Sequence, residues 1–105
     1  MTLLKTMTQL ETSLDVLAQQ RKIGHPESIS LLDDYYTALM QYFCMINDID
    51  CLENDTVLKV QPFNFQERLD YIQQRKHHYM GYQQMKTLKT ELVKMYAAYR
   101  AKQQR

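Results

Sequence analysis

Arg75, Lys76, His77, His78, Lys86, Lys89, Lys94, Arg100, Lys102 and Arg105 crowd the last third of the chain, interleaved with Tyr79, Tyr82, Tyr96 and Tyr99. Lysine and arginine neutralise phosphates and release their counterions. Tyrosine rings stack on unpaired bases, the usual way of holding a single strand without reading its sequence. Residues 75–105 hold eight Lys or Arg against one acid, Glu91, a net +7. Residues 1–74 hold five basic and eleven acidic side chains, a net −6, so the overall +1 hides a basic arm on an acidic body. Such an arm invites a polyanion, an acidic protein, or the chain's own acidic half.

Other residue types with chemical potential lack the spacing to use it. Glu27, Asp33, Asp34, Asp48, Asp50, Glu53 and Asp55 form an acidic stretch free of Lys and Arg, but it lacks the glycine and terminal Glu of a calcium loop. His77 and His78 are adjacent, so on a helix they point about 100° apart and cannot share a metal. No pattern supplies a base for Cys44 or Cys51 as nucleophiles, and two glycines leave no room for a phosphate-binding glycine loop. No enzyme activity, metal or cofactor is expected. The cysteines form no disulfide framework, no signal peptide is apparent and no window is apolar enough for a membrane span, so a cytoplasmic location is expected.

The elements that position these groups are helices. The 105 residues are read as one domain, 45% apolar with only two glycines and two prolines. Leu3, Met7, Leu10, Leu14 and Leu17 repeat at helical spacing up to Arg21, Lys22 and the terminator Gly24. A second helix opens at Pro26, with Ser28 as a competing cap, and carries Ile29, Leu32, Tyr36, Leu39, Phe43 and Ile46. Residues 47–64 read as a connection that covers the core with Leu52, Val57, Leu58 and Val60. Asn64 and Glu67 resemble a capping box for a third helix with Phe65, Leu69, Ile72 and Tyr79.

Met85, Leu88, Leu92, Met95 and Tyr99 form a last stripe. Ile72 and Leu92 differ by roughly 200° in direction, so a straight helix would present its stripes to opposite sides. The expectation is an all-α, three- or four-helix antiparallel bundle broken near Gly81. One long kinked helix whose far half packs on a second chain is the alternative. Met40, Met45, Met80, Met85 and Met95 suit either core filling or a groove for a partner helix.

Two stretches, LLKTMTQLETSLDVLAQQ (residues 3–20) and QQRKHHYMGYQQMKTLKTEL (residues 73–92), resemble the bacterial primosomal replication protein PriC family. The resemblance implies a helical protein that binds single-stranded DNA at stalled forks, with Arg75, Lys76, His78, Lys86 and Lys89 in contact. The residues themselves point to a non-catalytic binding protein that engages single-stranded nucleic acid. Arg75, Lys76, His78, Lys86, Lys89, Lys94 and Arg100 would meet phosphates, and Tyr82 or Tyr96 would stack. The alternative is a protein-interaction module (chaperone, adaptor or inhibitor) acting through apolar helix faces, including as a homodimer.

Overall fold

The computed structural model describes residues 2–50 and 58–103, and they form four α-helices: α1 (Thr2–Gln19), α2 (Pro26–Ile46), α3 (Phe65–Gln74) and α4 (Tyr79–Gln103). Two of these end on backbone devices rather than on glycine. At the end of α1, Arg21 takes the left-handed conformation (φ 58°), its N–H donates to Ala18 O, and the N–H of Lys22 reaches Leu17 O at 2.8 Å. Asp48 (φ 57°) closes α2 in the same way, with Ile49 N–H donating to Cys44 O. These are Schellman closures on non-glycine residues. Gly24 was expected to stop α1, but Arg21 does so. Pro26 opens α2, and Ser28 lies inside its first turn, where its hydroxyl accepts from Gly24 N–H and donates to His25 O.

The helices run up and down. Phe43 stacks on Phe65 and Gln73 donates to the Tyr36 hydroxyl, so α2 and α3 are antiparallel. Arg68 of α3 pairs with Glu91 of α4, and α4 returns alongside α2 with Tyr35 edge-on to Tyr82. One core cluster draws on all four helices, with Met7 and Leu14, Leu32, Leu39 and Phe43, Leu69 and Ile72, and Met85, Leu88 and Leu92 at its centre. The antiparallel bundle expected from the stripes is therefore the fold.

Several local expectations change. The break falls at residues 75–78, ahead of Gly81, which lies in the first turn of α4. Glycine is needed there because a Cβ at Gly81 would stand 1.7 Å from the carbonyl oxygen of Arg75. His77 and His78 thus sit in a turn, not on a helix. Asn64 does precede α3, but in the left-handed region (φ 55°) and without a side-chain cap bond, so no capping box forms. Tyr79 is half-exposed rather than core. On α2, Tyr35 and Tyr42 are buried where Ile29 and Tyr36 were expected, which rotates the buried face toward α1 and α4.

In the connection, Val60 is buried and Leu58 partly so, while Leu52, Val57 and Cys51 lie outside the described residues. Buried Asn47 anchors this segment. Its amide donates to Phe43 O and Val60 O, and its oxygen accepts from Val60 N–H at 2.7 Å. Asn47 thereby satisfies backbone groups that would otherwise be costly to bury.

Candidate functional site

Glu11 and Asp15 are four residues apart on α1, so they share one face. Lys86 and Lys89, three apart, share a face of α4. The bundle sets these faces against each other. Glu11 Oε2 accepts from Lys89 Nζ at 2.7 Å and from the Tyr35 hydroxyl at 3.0 Å. Asp15 Oδ1 accepts from Lys86 Nζ at 2.9 Å and from the Tyr82 hydroxyl at 2.7 Å. Each carboxylate therefore receives one lysine and one tyrosine, and the two tyrosine rings meet edge-on at 5.9 Å. Lys86 Nζ also lies 4.6 Å from the Tyr82 ring centre.

The electrostatics follow from this packing. Partial burial works to raise the Asp15 pKa, but donation from Tyr82 and Lys86 outweighs it and leaves the carboxyl below its usual range. Burial, with the neighbouring carboxylates, pushes the Tyr35 and Tyr82 hydroxyls far up, so both stay protonated donors. A second junction joins α2 to the 75–78 turn. Asp33 Oδ1 takes His77 Nε2 at 2.7 Å and Lys76 Nζ at 3.1 Å, and these bonds, His77 first, lower the Asp33 pKa. Lys76 Nζ also lies 5.1 Å from the Tyr36 ring centre.

The expected nucleic-acid residues are therefore dispersed. Lys76, Lys86 and Lys89 are each paired to an acid of α1 or α2. Tyr82 has no exposed surface and offers no face to a base, so its expected stacking role is withdrawn. Arg75 and His78 stand exposed at the α3–α4 turn, with the Arg75 guanidinium over the Tyr71 ring at 4.4 Å. Lys94 lies about 22 Å further along α4 at the helical rise per residue. Arg100 lies beyond it, over the half-buried Tyr96 ring at 5.6 Å. Among the described residues, Arg75, His78, Lys94 and Arg100 make no ion pair. Of the expected residues, Arg75 and His78 thus stand at the start of α4 and Lys94 and Arg100 in its distal half, with Lys86 and Lys89 paired to acids between them.

Sequence reasoning raised self-masking as an option but did not assign Glu11, Asp15 and Asp33 as the partners. The signal was present in matched spacings, an i, i+4 acid pair and an i, i+3 lysine pair, but their register is set only by packing. Cys44 lines a hollow of about 530 Å³ along α2 with Tyr36, Met40, Met45 and Ile49. Among the described residues, no group of three His, Cys, Asp or Glu side chains is placed to hold a metal, and no helix is long and apolar enough to cross a membrane.

No curated protein and no solved structure matches the chain. The resemblance to PriC is not upheld. Both stretches that carried it lie inside the match to a different family, and leucine-, glutamine- and lysine-rich helices resemble one another easily. The family model described as YpoC-like protein matches residues 1–104, and the chain belongs to that family.

Proposed function

We propose that this chain is a non-catalytic protein-interaction module. The observation that supports this reading is the placement of its large apolar side chains. Val16, Met45, Phe63, Tyr79 and Met80 stand in solvent beside a core that is already closed. Exposed apolar side chains on a rigid frame provide binding energy that survives salt. The basic arm, by contrast, spends its central lysines on the chain's own acids. The methionines divide accordingly, with Met85 in the core and Met45 and Met80 at the surface.

A second reading keeps single-stranded nucleic acid, now confined to the distal half of α4. Lys94, Arg100 and Lys102 lack ion-pair partners among the described residues, and Tyr96 carries Arg100 on its ring. A role in replication rested on the PriC likeness and is not carried forward.

The test joins two measurements. An unbiased displayed-peptide library is selected against the immobilised chain, with light scattering to record any homodimer. Labelled single-stranded DNA is titrated in parallel across a salt series. Peptides that stay bound at high salt, with no salt-sensitive DNA affinity, support the interaction module. Steeply salt-dependent DNA binding that is lost in Lys94→Glu/Arg100→Glu, with no peptide selected, replaces it with the nucleic-acid reading.

A further inference from the structure

We infer that the α3–α4 turn, together with the end of α1, is a docking surface for a short acidic peptide segment bearing an apolar side chain. This deepens the interaction-module reading and rests on it. Tyr79 and Met80 are consecutive at the start of α4 and are 50% and 52% exposed. A hollow flanks each of them. Tyr79 borders one of about 310 Å³ with Ala18, Arg21 and Ile23. Met80 borders one of about 390 Å³ with Gln74, Arg75 and His78. Each hollow thus sets an exposed apolar side chain beside an arginine.

Charge complementarity commits the surface to an acidic occupant. Among the described residues, no acidic side chain lines either hollow. Of the acids on the neighbouring elements, Asp33 is engaged by Lys76 and His77, Glu27 by Lys22, and Asp15 by Lys86 and Tyr82, whereas Asp34, Glu67 and Asp70 make no ion pair among the described residues and line neither hollow. The first turn of α4 carries no acid, so its positive dipole end is uncompensated from within that turn. Arg21 and Arg75 make no ion pair among the described residues, and a guanidinium pairs with a carboxylate through two parallel hydrogen bonds.

The surface is also pre-organised. The chain's two glycines both clear this turn. A Cβ at Gly24 would stand 2.9 Å from His77 O, and one at Gly81 would stand 1.7 Å from Arg75 O. The turn is seated between α1–α2 and α4, and His78 O accepts from Tyr82 N–H. A surface already held in its binding shape loses less entropy when a partner docks. Two arginines and one histidine around two apolar side chains fit a peptide better than a phosphate backbone, which asks for a continuous cationic track.

The test is fluorescence anisotropy with a labelled short peptide of Asp and Glu around a single Phe. The same peptide with Ser for Phe, a Lys-based counterpart and oligo-dT serve as competitors. Arg75 and Met80 are exposed, so Arg75→Glu and Met80→Ser are expected to melt like the parent chain. Each is expected to weaken binding about tenfold or more, as anchor residues do. Lys94→Glu, about 22 Å along α4 from this turn, is expected to leave binding unchanged, and the Ser peptide and the Lys peptide are expected to compete poorly.

Failure to bind the acidic peptide, or binding indifferent to Arg75→Glu and Met80→Ser, overturns the inference. If library-selected peptides still bind elsewhere, the docking surface is wrong and the interaction module stands. If no peptide binds at all, both fall. Oligo-dT that displaces the peptide and depends on Arg75 would assign the surface to nucleic acid and overturn the inference.

Discussion

Gly81→Ala is the most demanding perturbation that the structure offers. Inside a helix, alanine is ordinarily better than glycine by about 0.5–1 kcal/mol, because it loses less backbone entropy on folding. At Gly81 the new methyl would stand 1.7 Å from Arg75 O, 2.4 Å from Arg75 C and 3.1 Å from Lys76 N, whereas ordinary contact begins at 3.4 Å. All three atoms are backbone, so no rotamer change relieves the overlap. Either α4 or the turn must shift, and the turn is tied to Asp33 through Lys76 and His77. Overpacking typically costs about 1–3 kcal/mol. A backbone overlap belongs at or above the top of that range, which leaves a net loss of about 2–3 kcal/mol after the helical gain. For a domain of this size each kcal/mol moves Tm by about 4–8 °C, so a fall on the order of 10–20 °C is expected. Far-UV circular dichroism melts with urea titration measure it, with Thr87→Ala on the exposed face of α4 as a control. A Tm equal to or above that of the parent chain would refute the close approach and, with it, the rigid turn.

Three further outcomes follow from the same geometry. Asn47→Ala leaves Val60 N–H and two carbonyls without their side-chain partner, and is expected to cost about 2–4 kcal/mol, read as a lower urea midpoint. Asp15 and Asp33 have folded pKa values below their usual range, so the stability they contribute is present above about pH 4 and is lost as pH falls through the lowered folded values. Urea midpoints across that acid range should therefore drop less steeply in Asp15→Asn/Asp33→Asn, and an equally steep drop would refute the assignment. Lys86→Glu/Lys89→Glu sets two new acids against Asp15 and Glu11, and is expected to destabilise by roughly 2 kcal/mol after allowing for solvent around Asp15. An unchanged melting curve would mean that the α1–α4 ladder does not hold in solution.

How far the chain could be read in advance depends on the range of the interactions involved. The α1 stripe of Leu3, Met7, Leu10, Leu14 and Leu17 and the α4 stripe of Met85, Leu88 and Leu92 were legible, because helical spacing is a local property of sequence. The phase slip between Ile72 and Leu92 correctly required a break. Its position was misread because Gly81 resembles a helix breaker, whereas it is a clearance for Arg75 O six residues earlier. Tyr35 and Tyr36 were indistinguishable by composition. Tyr35 is the buried one because its hydroxyl finds Glu11 across the α1–α2 interface, whereas the Tyr36 hydroxyl accepts from Gln73 and its ring is only partly buried, beside Lys76.

The amino-acid sequence by itself determined an all-helical chain, the approximate helices, and the segregation of acid from base. Each of these follows from residues within a few turns of one another. Only the tertiary structure decided what the basic arm faces. Lys86 and Lys89 reach Asp15 and Glu11 because α1 and α4 are laid antiparallel in one register, and that register comes from the shared core of Met7, Leu14, Tyr82 and Leu92. Charge is written residue by residue, but whether a charge meets solvent, a partner or its own chain is a matter of packing.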